Sequence, residues 1–564
     1  MDEQRSVEHA PFRPSDAAPE NATATGKVVH LLAQGEAFLL QRRWQDAERL
    51  FRHALTQGHA DVSIIALLAR TLLAQGKLRE ARELINSQST ATAFTSPAML
   101  LLRAQILLEM GERQDAIVAF QYALAAAPDN GNAHIGLAVA LGQDGQSRAA
   151  HASAMMAITH GVDHAGSRSV LARSLYEMHR YGDAEAEYRR ALKHSPWNIG
   201  THISLAELIW LRTRDVSAAL VEVDRALLQL RDSRAMDLRL LRARMLFAAG
   251  DREEALEQIE QWIPSNPNHL PLRILAIKLW ITIDPARAAQ HATHAMQLAP
   301  GHTGVIGLYG DAMLAAGHPE IAAHVAQRLL EGNPHDNHAI ALRAAAWRLL
   351  GDPRHLPFHD YESLVRSCML DVPDGWSSLP HYLDTLADEL RHEHELLAEP
   401  LELSVRGGTQ VEHRTTETEM PAVRAFPKAV NGALRRYISA LGIGDTAWHR
   451  RSTGHYRLAG LWSVRLKSQG HHVSHYHGQG WLSSACYVQM PKAVNQGGGQ
   501  GWLKFGEPGL ATRPALGADY YVQPVPGMIV LFPSWMWHGT VPFTGATDEH
   551  RLTMAFDAVP AAIP

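Results

Sequence analysis

The feature that most constrains this chain is a phrase that returns at a period near 34 between about residues 27 and 355. Aligned on one small residue, it runs through Ala47, Ala81, Ala116, Ala150, Ala184, Ala218, Ala255, Ala289 and Ala322, at steps of 34, 35, 34, 34, 34, 37, 34 and 33. Five positions before the alanine there is often a glycine, as at Gly76, Gly111, Gly145, Gly250 and Gly317. Glycine suits a turn between two helices where the backbone needs positive φ. Twelve positions after the alanine stands Pro128, Pro196, Pro267 or Pro334. Proline has no N–H to donate and ends the second helix. A small residue where helices cross, glycine at the turn and proline at the exit describe a pair of short helices repeated many times. No single pair can bury its apolar face alone, so the pairs must stack.

This is the tetratricopeptide signature, with about nine repeats and a partial one around Gly351. Stacked pairs form a superhelix whose concave face suits a peptide or protein. After Gly351 the period stops, and Pro353 and Pro357 interrupt the helical pattern. Helical stretches follow near 379–397 and 421–441, flanking PLELSVRGGTQ, where Gly407 and Gly408 suggest a tight turn after a strand. Strand-like patterns dominate from about 447. QGGGQG at 496–501 reads as a loop near the mouth of a site, without the strand-to-helix context of a phosphate cradle.

Composition narrows the class. Of the 564 residues, 46% are apolar and 20% charged, enough for more than one core. A net charge of −5 offers no footprint for nucleic acid or an anionic membrane, so neither is expected as a partner. Two cysteines, Cys368 and Cys486, fit a reducing compartment. The first residues lack a basic region followed by an apolar one, and nowhere do eighteen apolar residues run together, so the expected location is cytoplasmic. The expected organisation is a disordered tail over 1–26, a repeat array over 27–355 and a second domain over 356–564.

The chemistry concentrates near the C-terminus. In HHVSHYHGQGWLSSACYV (471–488), His475 and His477 stand at i and i+2, which on a strand share one face. With 33 histidines in the chain such pairs also arise by chance, as at His392 and His394, but that pair lies on a helical pattern where i and i+2 diverge. In GMIVLFPSWMWHGTVPF (527–543), an apolar run ends at Pro533 and leads to His538, a third candidate ligand. In RLTMAFDAV, Leu552, Met554 and Phe556 alternate with Arg551, Thr553 and Asp557, so Arg551 and Thr553 share the polar face. A dicarboxylate buried in such a fold needs a fixed cation, and arginine binds carboxylates bidentately.

HHVSHYHGQGWLSSACYVQMP, GWLKFGEP, PGMIVLFPSWMWHGT and RLTMAFD, in this order, resemble the blocks of bacterial 2-oxoglutarate/Fe(II) oxygenases that carry tetratricopeptide repeats ahead of the catalytic domain; PLELSVRGGTQ resembles that domain's start. The resemblance covers about residues 356–564. It implies a multidomain α + β chain, an all-α repeat superhelix followed by a double-stranded β-helix (jelly roll) with buttressing helices, holding Fe(II) and 2-oxoglutarate and using O2. Carried over, His475, His477 and His538 fall on the metal ligands, Arg551 on the partner of the cosubstrate's distal carboxylate, Thr553 on its hydroxyl helper, and Tyr487 on a further cosubstrate contact. The family's usual ligand set has a carboxylate where His477 stands, which leaves open whether Asp519, His472 or Asp557 substitutes for that ligand. The resemblance implies hydroxylation, and the repeats direct it toward a protein or peptide. Two rivals are a three-histidine metalloenzyme of cupin type that ignores 2-oxoglutarate and a noncatalytic repeat scaffold.

Overall fold

The computed structural model describes residues 24–57, 62–87, 96–230, 232, 234–401, 403–415, 418–442, 444–546 and 548–561. The tail expected over 1–26 lies outside the described residues as far as 23, and a helix runs from Ala24 to Leu40. The chain divides into two compact units, 1–196 and 197–564.

In both units paired helices recur, and one rule places the small residue. In all nine repeats the alanine four positions after the N-cap of the second helix is at most 2% exposed, from Ala47 after Arg43 to Ala322 after His318. Two positions of the sequence alignment are thereby corrected. Ala218 and Ala289 are half-buried, whereas Ala219 and Ala288 are enclosed. Each of these repeats has adjacent alanines and no glycine five positions earlier, so the sequence pattern was ambiguous by one residue. The caps resolve it, because Asp215 accepts from Ala218 N and Asp284 from Arg287 N, fixing where each helix starts. The corrected register also brings Pro300 to the twelfth position after Ala288.

The turn glycines have positive φ as expected, from 72° at Gly76 to 111° at Gly250. In three of the four repeats that lack this glycine, Arg42, His179 and Arg214 adopt φ of 56–58° at the same position, whereas Ile283 in the fourth does not have positive φ. A side chain there costs about 1–2 kcal/mol. The packed alanine face of the pair offsets it.

In the second unit, helices from Ile199–Thr213 to Asn337–Leu349 complete the repeats and are followed by nine strands: β1 (Arg366–Met369), β2 (Val405–Glu412), β3 (Tyr456–His472), β4 (Leu482–Gln489), β5 (Leu503–Phe505), β6 (Tyr520–Val522), β7 (Met528–Pro533), β8 (His538–Thr540) and β9 (Arg551–Pro560). An antiparallel six-stranded sheet has the order β1-β7-β4-β9-β3-β2, and a three-stranded sheet the order β6-β5-β8. The strands form a region of jelly-roll type. Gly407 is not a turn after a strand; it is a bulge inside β2, with φ of 65° and a register shift between Arg406 and Gly408. Its backbone lies against Gly470, where a Cβ would come within 3.1 Å of Gly470 Cα.

Alternation on β9 separates two environments. Leu552, Met554, Phe556 and Ala558 are buried among Tyr382 and Leu386 of helix Leu379–Glu393 and Phe426 and Val430 of helix Pro421–Leu441. These two helices buttress one face of the large sheet; the first stops at Glu393, short of the 397 read from sequence. Each large apolar side chain so covered contributes about 1.5–3 kcal/mol. The alternate residues, Arg551, Thr553, Ala555 and Asp557, turn to the other face. There Tyr487, Phe505, Val530 and Phe532 share a core with Leu342 and Ala345 of the last repeat helix.

Candidate metal and cosubstrate site

His475 and His477 lie just beyond β3 rather than within a regular strand. Their backbone is nonetheless held extended. His475 and His538 exchange both N–H···O bonds, each 2.9 Å, in an isolated bridge, and His477 N donates to Ser534 O at 2.8 Å. His538 opens β8, opposite Phe505. One imidazole nitrogen from each of His475, His477 and His538 lies within 4.8 Å of the others, so the sequence brings three candidate ligands to one point from positions up to 63 residues apart.

The outward nitrogens explain how the rings are aimed. His475 Nδ1 donates to Val473 O at 2.9 Å and His538 Nδ1 to Met536 O at 3.0 Å. His477 Nδ1 donates to Asp557 Oδ1 at 2.6 Å. With Nδ1 so engaged, each ring presents Nε2 to the centre, and those of His475 and His477 face each other at 3.3 Å. An acceptor behind each imidazole is the pattern of metal-binding histidines. Burial holds His475 down to about 3 and His538 well below its ordinary value, with neighbouring histidines adding to the effect. Both rings are therefore neutral donors at physiological pH, as metal ligation requires. The donor set fits a divalent transition metal.

The structure separates the three groups that could have substituted for the missing carboxylate ligand. Asp519 pairs with Arg348 at 2.5 Å and is within 3.4 Å of Tyr361 Oη, away from the cluster. His472 stacks beside His475 at 5.7 Å, with Ser404 Oγ 2.9 Å from its Nδ1 and 3.3 Å from His475 Nε2. Asp557 stands one residue back from the cluster, held by Ser483 Oγ at 2.7 Å as well as by His477. A negative charge is present, relayed through an imidazole. Sequence placed Asp557 on the correct face of β9 but could not show which histidine it meets.

Arg551 is 2% exposed. Its Nε donates to Gly501 O at 3.2 Å and its guanidinium lies 5.2 Å from the Tyr487 ring centroid. Among the described residues no carboxylate pairs with it. The QGGGQG loop therefore backs Arg551, with Gly497, Gly498, Gly499 and Gly501 all at positive φ. Burial pulls the guanidinium below its ordinary value, and burial pushes the neighbouring Tyr487 hydroxyl up to about 12 despite the cation. Thr553 pairs with both Val464 and Tyr487 across the ladder and is 4% exposed. The described partners of Arg551 are thus a carbonyl and an aromatic ring, and burying a cation without an anion beside it costs several kcal/mol.

The last repeat helix touches the segment that carries His475 and His477, which sequence reasoning missed. Asn337 Nδ2 donates to His477 O at 2.8 Å and to Gly480 O at 2.7 Å. His338 binds Asp311 at 2.8 Å and stacks on Tyr476, which meets Trp537 edge-on at 4.9 Å. Trp537 thus supports the residues between the candidate ligands, while Trp481 and Trp535 are core.

Comparison with known proteins finds matches to both the repeats and the C-terminal region. Residues 460–557 match the family described as "Putative 2OG-Fe(II) oxygenase", and residues 38–106 and 101–152 match two tetratricopeptide-repeat families. Solved structures that resemble the chain include a thermophilic TPR protein of Thermus thermophilus, at 22% identity over 32% of this chain and 99% of that one with a TM-score of 0.29. A tetratricopeptide repeat protein from Parabacteroides merdae matches at 17% identity over 44% and 97%, with a TM-score of 0.34. No curated protein matches the chain.

Proposed function

We propose that the C-terminal region, which carries a 2OG-Fe(II) oxygenase domain over residues 460–557, hydroxylates a protein or peptide using Fe(II), 2-oxoglutarate and O2. The observation that carries this reading is Arg551, a buried guanidinium without a carboxylate partner, on the same face of β9 as the Asp557 that backs His477. His475, His477 and His538 would hold the metal. Arg551 would bind the distal carboxylate of 2-oxoglutarate, with Thr553 and Tyr487 beside it. When bound, metal and cosubstrate supply an oxidant for a C–H bond, with succinate and CO2 as co-products.

The protein's own residues do the rest. Asp557 fixes the His477 ring and sets a carboxylate behind a ligand set that otherwise consists of imidazoles alone. Buried Phe505 and Phe532 pack within 6.3 and 4.6 Å of the His538 ring and keep bulk water from that side. No helix among the described residues is long and apolar enough to cross a membrane. The repeats favour a macromolecular substrate, because a groove several repeats long is unnecessary for a metabolite.

The test is anaerobic titration of the apoprotein with Fe(II) and then 2-oxoglutarate, watching for the visible metal-to-ligand charge-transfer band. The band is expected in the wild type, and Arg551→Ala should need at least ten times more 2-oxoglutarate to develop it. Iron binding without the band would replace this reading with a three-histidine enzyme that ignores 2-oxoglutarate. No iron binding would leave a repeat scaffold.

A further inference from the structure

A cavity of about 820 Å³ in the unit 197–564 lies along the first helices of successive repeats. Its floor is apolar, formed by residues such as Ile203, Leu241, Phe247 and Ile274. Its charged lining is one-sided: Arg244, Arg252, Lys278 and Arg406 against Asp237 alone. Some of this charge is engaged. Arg244 lies 3.5 Å from Glu207, and Arg406 donates to the carbonyls of Leu403 and Val405. Arg252 and Lys278 are exposed at the rim. Arg252 lies 5.5 Å from the Phe247 ring centroid, so apolar and cationic surfaces meet at one edge.

The remaining wall is the segment that leads into the candidate metal site. Leu397 N and Ala398 N donate to Leu211 O at 2.9 and 3.1 Å, and Trp210 Nε1 donates to Glu399 O at 2.9 Å, which ties this segment to the repeat helix Ile199–Thr213. Leu401 and Arg406 then line the cavity, while Ser404 between them touches His472 and His475. Three residues of chain span at most about 11 Å, so the Leu401 and Ser404 backbones are no farther apart than that. A peptide leaving the cavity needs only a few residues to arrive at the cluster.

We propose that this cavity docks the substrate: a peptide segment with large apolar side chains flanked by acidic residues, whose hydroxylated residue lies about three to six positions from the apolar anchor. The apolar floor supplies affinity, and the cationic rim selects acidic neighbours and rejects basic ones. This inference rests on the oxygenase reading for the word substrate, while the docking itself stands on the cavity alone.

The test uses the full chain and fluorescence anisotropy with three labelled peptides: one carrying adjacent Leu and Phe flanked by Glu, one with Lys for each Glu, and one with Ser for Leu and Phe. The acidic apolar peptide should bind at least tenfold tighter than either of the others. Lys278→Glu combined with Arg252→Glu, both exposed positions, should remove or reverse the preference for Glu over Lys. The same double variant should keep the wild-type charge-transfer titration, which reports that the protein is folded and the metal site intact. Equal binding of all three peptides, binding of none, or a preference untouched by the double variant would overturn the docking proposal whatever the metal does. A normal peptide preference in a protein that develops no charge-transfer band would instead overturn the oxygenase reading and leave docking in place.

Discussion

The turns of the repeats and the cluster of histidines solve opposite problems. In the repeats, each residue's task is settled within one helix pair: an alanine four positions after the start of the second helix packs, and a glycine closes the turn before it. In the cluster, no residue's task is settled locally. His477 is aimed by Asp557, 80 residues later, and its backbone is held by Asn337, 140 residues earlier. The difference teaches where single substitutions are absorbed. Local periodic structure spreads damage over many similar units, whereas the cluster concentrates function in a few non-local contacts.

The contrast is broken most directly at His538. His538→Ala should weaken Fe(II) binding by more than about a hundredfold, beyond what losing an outer-shell partner does, while circular dichroism of the helical repeats stays unchanged. Equal affinity for Fe(II) would remove His538 from the ligand set. Arg551→Met should separate stability from function: replacing an unpaired buried cation by an apolar side chain should raise apoprotein stability by about 1–4 kcal/mol and abolish dependence on 2-oxoglutarate. Loss of stability in this variant would mean that Arg551 is a structural group.

Acid should destabilise the histidine cluster. Burial holds His475 near 3, so between the unfolded value of about 6.5 and 3 the unfolded chain binds the extra proton. Stability therefore rises with pH across that window and falls on acidification, by about 1.4 kcal/mol per pH unit for such a histidine. Thermal melts of metal-free protein from pH 7 to 4 check this, with His475→Gln flattening the slope. Asp557→Asn should weaken metal binding by about 10–100-fold without displacing the metal site. The smallest effect is the sharpest for the repeats: Ala219→Leu should cost about 1–3 kcal/mol by overpacking, and Ala218→Leu next to it much less. The reverse order of costs would return the register to the one read from sequence alone.

That pair of alanines shows how far sequence could be read. Period, turn glycines and most of the packed alanines were legible because they repeat, and only adjacent alanines without a nearby glycine hid the register. The meeting of the three histidines was legible from their spacing and the ordered blocks, and the shared face of Arg551 and Thr553 from alternation along the strand. Asp557 was visible as a residue on the polar face and invisible as the partner of His477, since a hydrogen bond across 80 residues leaves no local trace. Asn337 carried no signal at all: it stands as an ordinary first residue of a repeat helix, and only the folded chain brings its amide to the loop. The bulge at Gly407 looked like a turn because a glycine pair announces positive φ without saying whether the strand continues.

The amide of Asn337 has a practical consequence for anyone dividing this protein. A cut placed where the periodicity ends, near residue 356, would take away the group that holds His477 O and Gly480 O, the Arg348 that binds Asp519, and the Leu342 and Ala345 side chains that complete the core around Tyr487 and Phe532. The final helix pair is thus a shared wall, and removing the neighbour on one side opens the room on the other. Chimeras that exchange the repeats should join upstream of Pro319, leaving that wall with the site it encloses.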